Sequence, residues 1–232
     1  MKRSGGSETA KRRAGERAAT RWTTATSSDS ERGHGGARDP RARAARGRRS
    51  RRVGRGDELQ SRELAREAGI PLTSLDAVGS VDVAIDGTDQ FDRETGALIK
   101  GGGAAHAREK VVDASADRFL VVADPSKAAR GLDASVPVEL LPAARRPVES
   151  AVRDLGGEPT LRAAERKDGP VVTDNGNLVL DCAFGALSNP GALATDLARV
   201  PGVVAHGLFV DLADAVLVGT EDGVETRSYG SE

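Results

Sequence analysis

The sequence predicts an α/β protein with a largely parallel sheet, and three observations carry that expectation. From residue 59 onward, short apolar runs alternate with helical patterns, as strand-helix-strand units do. One run, Val81–Ile85, stops at Asp86-Gly87-Thr88-Asp89, and open α/β sheets place ligands just beyond the carboxyl ends of their strands. The chain has 232 residues, enough for one large domain or two small ones around a substantial core.

The elements follow in order. A helix is predicted over Leu59–Ala68, then the strand Val81–Ile85. A helix over Ala104–Val112, strands at Phe119–Ala123 and Val136–Leu141, and a helix over Val148–Leu155 come next. The strand Leu178–Leu180, the helix Gly191–Arg199 and the strand Ala215–Val218 complete the series. Hydrophobic residues make up 38% of the chain and aromatic ones 3%, so the core must be built from Ala, Val, Leu and Ile. No run approaches the ~18 apolar residues of a membrane helix, so no membrane partner is expected. The single cysteine, Cys182, cannot form an internal disulfide, and with three scattered histidines it gives no metal-ligand spacing. A soluble, cytoplasmic protein without a metal is expected.

The formal net charge of -1 hides a division near residue 56. Residues 1–56 hold 17 Lys/Arg against 5 Asp/Glu; residues 57–232 hold 17 against 30. Arg41–Arg55 is more than half arginine, with one apolar residue larger than alanine, so residues 1–56 are expected to be disordered. Three readings of this arm stand open: a nucleic-acid contact, a transit peptide and an artefact of the reading frame. The acidic remainder predicts a protein that tolerates or requires high salt.

Candidate chemistry clusters between residues 86 and 127. Asp86 and Asp89 flank a glycine at a strand end, where they can converge on one small polar ligand or simply bond their own backbone in an Asx-type turn. Lys100-Gly101-Gly102-Gly103 precedes the predicted helix from Ala104, which places bare amides and a positive charge at a helix N-terminus suited to anions. A flexible glycine hinge is the plainer alternative. Glu109 and Lys110 follow on that helix and, taken singly, look like solvated charge. Thr173-Asp174-Asn175-Gly176-Asn177 suits a tight hairpin turn, because Asn-Gly readily takes positive φ.

The order DGTD, LIKGGGAAHAREKVV, VVADPSK, PVELLP, VTDNGN and PGVVAHGLF resembles the A-type ribose-5-phosphate isomerase family over residues 61 to 227. The resemblance implies an α/β core formed by residues 57–131 and 208–232, with a smaller α/β domain inserted over 132–207. It also implies interconversion of ribose 5-phosphate and ribulose 5-phosphate through an enediolate, in the non-oxidative pentose phosphate pathway, without a metal or organic cofactor. Glu109 matches the family's base in its R-E-K motif, a task that favours a raised pKa in a partly dry site. Lys100 would stabilise negative charge developing on substrate oxygens, with Gly101, Gly102 and Gly103 lending amide donors. Asp86, Gly87, Thr88 and Asp89 match the segment that binds sugar hydroxyls and helps to open the ring, Thr88 replacing the usual alanine. Lys127, in Asp124-Pro125-Ser126-Lys127, matches a substrate-binding lysine. His106 and His206 match no catalytic position, which leaves them surface or packing roles. A homodimer or homotetramer is implied as well.

The family's glycine-rich phosphate loop, of the form G-L-G-T-G-S-T, is missing. Its place falls near Asp29–Gly35, which lacks the glycine pattern that turns successive amides toward a phosphate. Codons permitted for Ser27–Gly33, shifted back one base after a preceding G, encode V-V-G-L-G-T-G. Those for His34–Ala42, read one base later, encode T-A-A-R-A-I-R-A. The reading is therefore that residues from about Thr20 to Leu59 are translated out of frame, so no nucleic-acid partner is expected. The runner-up function is a non-catalytic sugar-phosphate-binding regulator whose basic arm contacts nucleic acid.

Overall fold

The computed structural model describes residues 12–18, 63, 65–67, 69–78, 81–165 and 168–229. Residues 12–18 form a helix, α1, and the helix predicted from Leu59 is seen at residues 63 and 65–67. The strands are β1 (Val81–Gly87), β2 (Gln90–Asp92), β3 (Leu98–Ile99), β4 (Ala116–Ala123), β5 (Ala128–Ala129) and β6 (Val136–Leu140), then β7 (Glu158–Leu161), β8 (Leu178–Ala183), β9 (Val203–His206), β10 (Leu208–Phe209), β11 (Ala215–Gly219) and β12 (Val224–Ser228). Three further helices are α2 (His106–Ala114), α3 (Arg145–Asp154) and α4 (Pro190–Arg199).

The core sheet has the order β1-β4-β11-β12. Its first three strands are parallel, with Gly87 opposite Val122 and Val216 opposite Val121, and β12 closes the edge antiparallel to β11. Successive side chains of a strand face opposite ways. Phe119, Val121 and Ala123 of β4 accordingly join Ala84, Phe91, Phe209 and Val216 in one apolar layer, while Leu120 joins Ala215 and Leu217 in another. All five residues of β11 are buried, the pattern of a strand covered on both faces.

The second layer is completed by α1, where the expectation of disorder over 1–56 is corrected for the residues described. Ala14 and Ala18, one helical turn apart, are fully buried against Leu120, Ala215 and Leu217. Arg13 donates to the Thr220 carbonyl at 3.0 Å. Two alanines on one face suffice to dock a short helix even where its other face is charged. The arginine run 41–55 and the phosphate-loop position 29–35 lie outside the described residues.

A second sheet, β7-β8-β6-β9, is antiparallel throughout, so parallel pairing is found only in the core sheet and between β2 and β5. It packs on α3 and α4 through Val148, Val152, Leu197, Val138, Leu140 and Leu180. Pro190 opens α4, and Asn189 caps it by accepting from the Ala192 amide at 3.0 Å. A small sheet, β10-β3-β2-β5, lies between the other two in the chain's connectivity and delivers Lys100 immediately after β3.

Candidate active site

Asp86 sits near the carboxyl end of β1, and the parallel neighbour β4 runs into Asp124-Pro125-Ser126-Lys127 at the same end of the sheet. Asp124 caps the short turn Pro125–Lys127 by accepting from the Ser126 amide at 2.9 Å. The topology thus brings Asp86 and Lys127 to one sheet edge, as the strand-end argument expects.

Lys100 is the centre of the site and is only 3% exposed. Its Nζ donates to Asp86 Oδ2 and to the Gly87 carbonyl, each at 2.7 Å, and lies 3.3 Å from Glu109 Oε2 and 4.0 Å from Asp113 Oδ2. Burial alone would depress its pKa, but Asp86, Glu109 and Asp113 outweigh burial and hold it above the ordinary lysine range. Glu109 and Asp113 reach it together because they are four residues apart on α2. Asp113 was not singled out in the sequence; the signal available was this spacing after the glycine triplet.

The glycine loop is tight. Gly101 has φ +107°, and a side chain there would strike His106, with Nδ1 2.7 Å from the Cβ position. At Gly102 the obstacle would be Asp89 Oδ1, at 2.6 Å. Asp89 also accepts from the Gly102 amide at 2.6 Å. The Ala104 amide closes a turn on the Gly101 carbonyl, and Ala104 itself has φ +63°. Helix α2 therefore begins at His106 rather than at the predicted Ala104, so the three glycines form a turn of their own ahead of it. Lys100 turns back to the carboxylates instead of standing beside the amides.

Thr88 is structural here. Its hydroxyl meets the Gln90 and Ile99 carbonyls at 2.8 and 2.9 Å, tying β1 to β2 and β3. Gly87 contributes its carbonyl to Lys100 and its amide to Asp86 Oδ1, at 2.7 Å.

Lys110 is not solvated charge. Its Nζ donates to the carbonyls of His206 at 2.7 Å and Leu208 at 2.9 Å, stitching α2 to β9 and β10. Burial pushes its pKa down to about 8. His106 and His206 are both buried, so neither is a surface residue. Burial lowers their pKa values to about 4 and about 3, so both rings are neutral at pH 7. Cys182 is buried and its thiol is pushed up to about 12, well away from nucleophilic use.

The Thr173–Asn177 segment is the expected hairpin turn, with Gly176 at φ +81° and the Thr173 amide donating to the Asn177 carbonyl. It also wraps the buried Glu139, whose Oε1 accepts from Thr173, Asn175 and Asn177 at 2.8 to 3.0 Å. Arg108, beside Glu109, donates to Asn175 Oδ1 at 2.7 Å and to the Asp174 carbonyl at 3.0 Å. The turn thereby braces the helix that carries Glu109. Among the described residues, no group of His, Cys, Asp and Glu side chains could hold a metal ion, and no helix is long and apolar enough to cross a membrane.

Comparison with known proteins extends this geometry. The profile of the family described as ribose 5-phosphate isomerase A (phosphoriboisomerase A) matches residues 58–223. A ribose-5-phosphate isomerase A of Halorubrum lacusprofundi is 61% identical over 241 aligned residues, covering 97% of this chain and 98% of its own. Among solved structures, ribose 5-phosphate isomerase A from Methanocaldococcus jannaschii is 41% identical with a TM-score of 0.73, over 76% of this chain and 78% of its own. A D-ribose-5-phosphate isomerase in complex with phospho-erythronic acid is 38% identical with a TM-score of 0.72, over 74% of this chain and 76% of its own.

Proposed function

The chain belongs to the ribose 5-phosphate isomerase A family, and on that premise we propose that Glu109, Lys100 and Asp86 carry its reaction. The enzyme interconverts ribose 5-phosphate and ribulose 5-phosphate. The observation that supports these residue roles best is the buried Lys100 ammonium, held between Asp86 Oδ2 at 2.7 Å and Glu109 Oε2 at 3.3 Å.

With the ring open, Glu109 removes the proton from C2. The C–H electron pair forms the C1–C2 double bond, and negative charge develops on O1. A proton passes from O2 to O1, and Glu109 returns its own proton to C1, which leaves the ketone at C2. Lys100 opposes the charge on the enediolate oxygens from a site that has lost most of its water, where a fixed ammonium acts most strongly. Asp86, Gly87, Thr88 and Asp89 line the approach of the sugar hydroxyls, Thr88 by holding the segment in place. Gly101 to Gly103 offer amides, and Lys127 offers a positive charge at the same sheet edge. Replacing Glu109 by Gln leaves the shape but removes the base. E109Q should lose about 10²- to 10⁴-fold in kcat while still binding phospho-erythronic acid. An active E109Q would reassign the base.

Residues 132–207 form the inserted domain in this reading, and the enzyme acts in the cytoplasm as a homo-oligomer in the pentose phosphate pathway. The segment from about Thr20 to Leu59 is read out of frame. In support, the family profile begins to match at residue 58, where the arginine-rich stretch ends. Resequencing the DNA for residues 15 to 65 tests this directly. Compensating indels that restore the glycine-rich loop should raise kcat/KM by about a hundredfold or more over the chain as written, because binding energy at the remote phosphate drives the chemistry. An unaltered DNA sequence, with full activity in the present chain, would refute the frame reading. No observation favours the non-catalytic regulator.

A further inference from the structure

Arg162 stands one residue beyond β7, in the second sheet, yet it acts on the glycine loop. Its Nη1 donates to the Gly101 carbonyl at 2.8 Å and to the Gly102 carbonyl at 3.3 Å. The rest of its fork is spent on Asp181 of β8, with Nε 2.9 Å from Oδ2 and Nη2 bonded to Oδ1. Both side chains are largely buried, at 15% and 26% exposure. A planar guanidinium can make this bidentate pair and still direct a third nitrogen at a carbonyl; an ammonium cannot.

The consequence lies in the peptide units themselves. In a trans peptide the carbonyl of one residue and the N–H of the next point in opposite directions. Drawing the Gly101 and Gly102 carbonyls toward Arg162 turns the N–H groups of Gly102 and Gly103 away from it. The Gly102 N–H meets Asp89 Oδ2 on that other side, at 2.6 Å. The exposed Gly103 N–H has no protein acceptor among the described residues, which leaves one aimed donor open. Charge on a carbonyl also polarises its peptide and strengthens the N–H it shares.

We propose that Arg162, braced by Asp181, is a positioning residue of the isomerase reaction, aiming the open Gly103 amide at the negative charge that develops on the substrate oxygens while Asp89 holds the amide of Gly102. The proposal rests on the reading of the glycine loop as a donor of amides to substrate. It also gives the second sheet a part in catalysis that the sequence, with Arg162 and Gly101 sixty-one positions apart, does not disclose.

The test compares the full chain with R162Q and R162K. The readouts are kcat and KM for ribose 5-phosphate, the affinity for phospho-erythronic acid, whose carboxylate carries the negative charge that the substrate acquires only on reaction, and thermal unfolding. R162Q should lower kcat about ten- to hundredfold, with KM changed less than about threefold. It should weaken phospho-erythronic acid about tenfold, and R162K, which keeps one donor, should recover part of both losses. A kcat within about twofold of the parent in R162Q overturns the proposal, as does a loss that only tracks unfolding and is not relieved in R162K. If the unsubstituted chain does not isomerise, the activity reading fails separately, and calorimetric binding of phospho-erythronic acid decides alone. Tenfold weaker binding by R162Q then supports the proposal, equal affinity overturns it, and no binding by any variant overturns both.

Discussion

Lys100 and Lys110 are ten residues apart and lie over the same ring, with Nζ 5.3 and 4.7 Å from the centroid of Phe209. Their proton affinities nonetheless move in opposite directions. Lys100 sits among three carboxylates and is held charged above the ordinary lysine range. Lys110 faces two backbone carbonyls and the neutral ring of His206, and burial brings it down to about 8. Burial penalises both ammonium groups, so burial cannot explain the difference. Full opposite charges offset the loss of water, whereas carbonyl dipoles offset only part of it. One lysine is held charged among carboxylates, and the other ties a helix to two strands.

The largest effect expected from this contrast is in catalysis. Lys100→Met removes the charge proposed to face the enediolate and leaves Asp86, Glu109 and Asp113 crowded without that counter-ion. The expected loss in kcat is about a thousandfold, on the scale of removing a principal transition-state donor. The matching change, Lys110→Met, should leave kcat within about tenfold, because Lys110 meets two backbone carbonyls and the rings of His206 and Phe209 and none of the three carboxylates around Lys100. Steady-state assays of the two variants side by side decide it. Comparable losses would show that both lysines serve the reaction and would dissolve the contrast.

Much of the grouping of residues in the candidate site was legible before any coordinates. Asp86 and Asp89 at a strand end, the lysine and glycines after β3, and Glu109 on the following helix all lie within 24 residues of chain, where local spacing predicts proximity. What escaped depends on contacts that spacing does not record. Lys110 resembles solvated charge until β9 and β10, almost a hundred residues later, place two carbonyls against it. Arg162 follows a strand whose partners say nothing of the glycine loop. Thr88 stands as a small departure from the family's alanine, yet its hydroxyl makes two bonds that alanine could not. Helix α1 was hidden for another reason: seven residues with three arginines read as a disordered arm, although two alanines four apart are enough to dock them. The parallel order of β1, β4 and β11 followed from alternation, whereas the antiparallel second sheet needs the long-range pairing of β6 with β8 and β9.

The contrast sharpens at high pH, where the two lysines affect stability with opposite sign. A group whose folded pKa lies below its unfolded value binds its proton better in the unfolded chain, so stability rises with pH between the two values. For Lys110 that window runs from about 8 to the ordinary lysine value of 10.5. Lys100 has the reverse order: its stabilising contribution is complete below 10.5 and disappears only as pH climbs through its raised folded pKa. Between pH 8 and 10, therefore, Lys110 alone of the two should be titrating, and its release of a buried charge should favour the folded state. Lys110→Met cannot release that charge. Urea unfolding at pH 8 and pH 10 should show the parent gaining about 2 kcal/mol relative to K110M over this interval. Parallel pH dependences for the two proteins would mean that Lys110 keeps an ordinary proton affinity, and that two carbonyls and Phe209 hold its charge as well as the carboxylates hold that of Lys100.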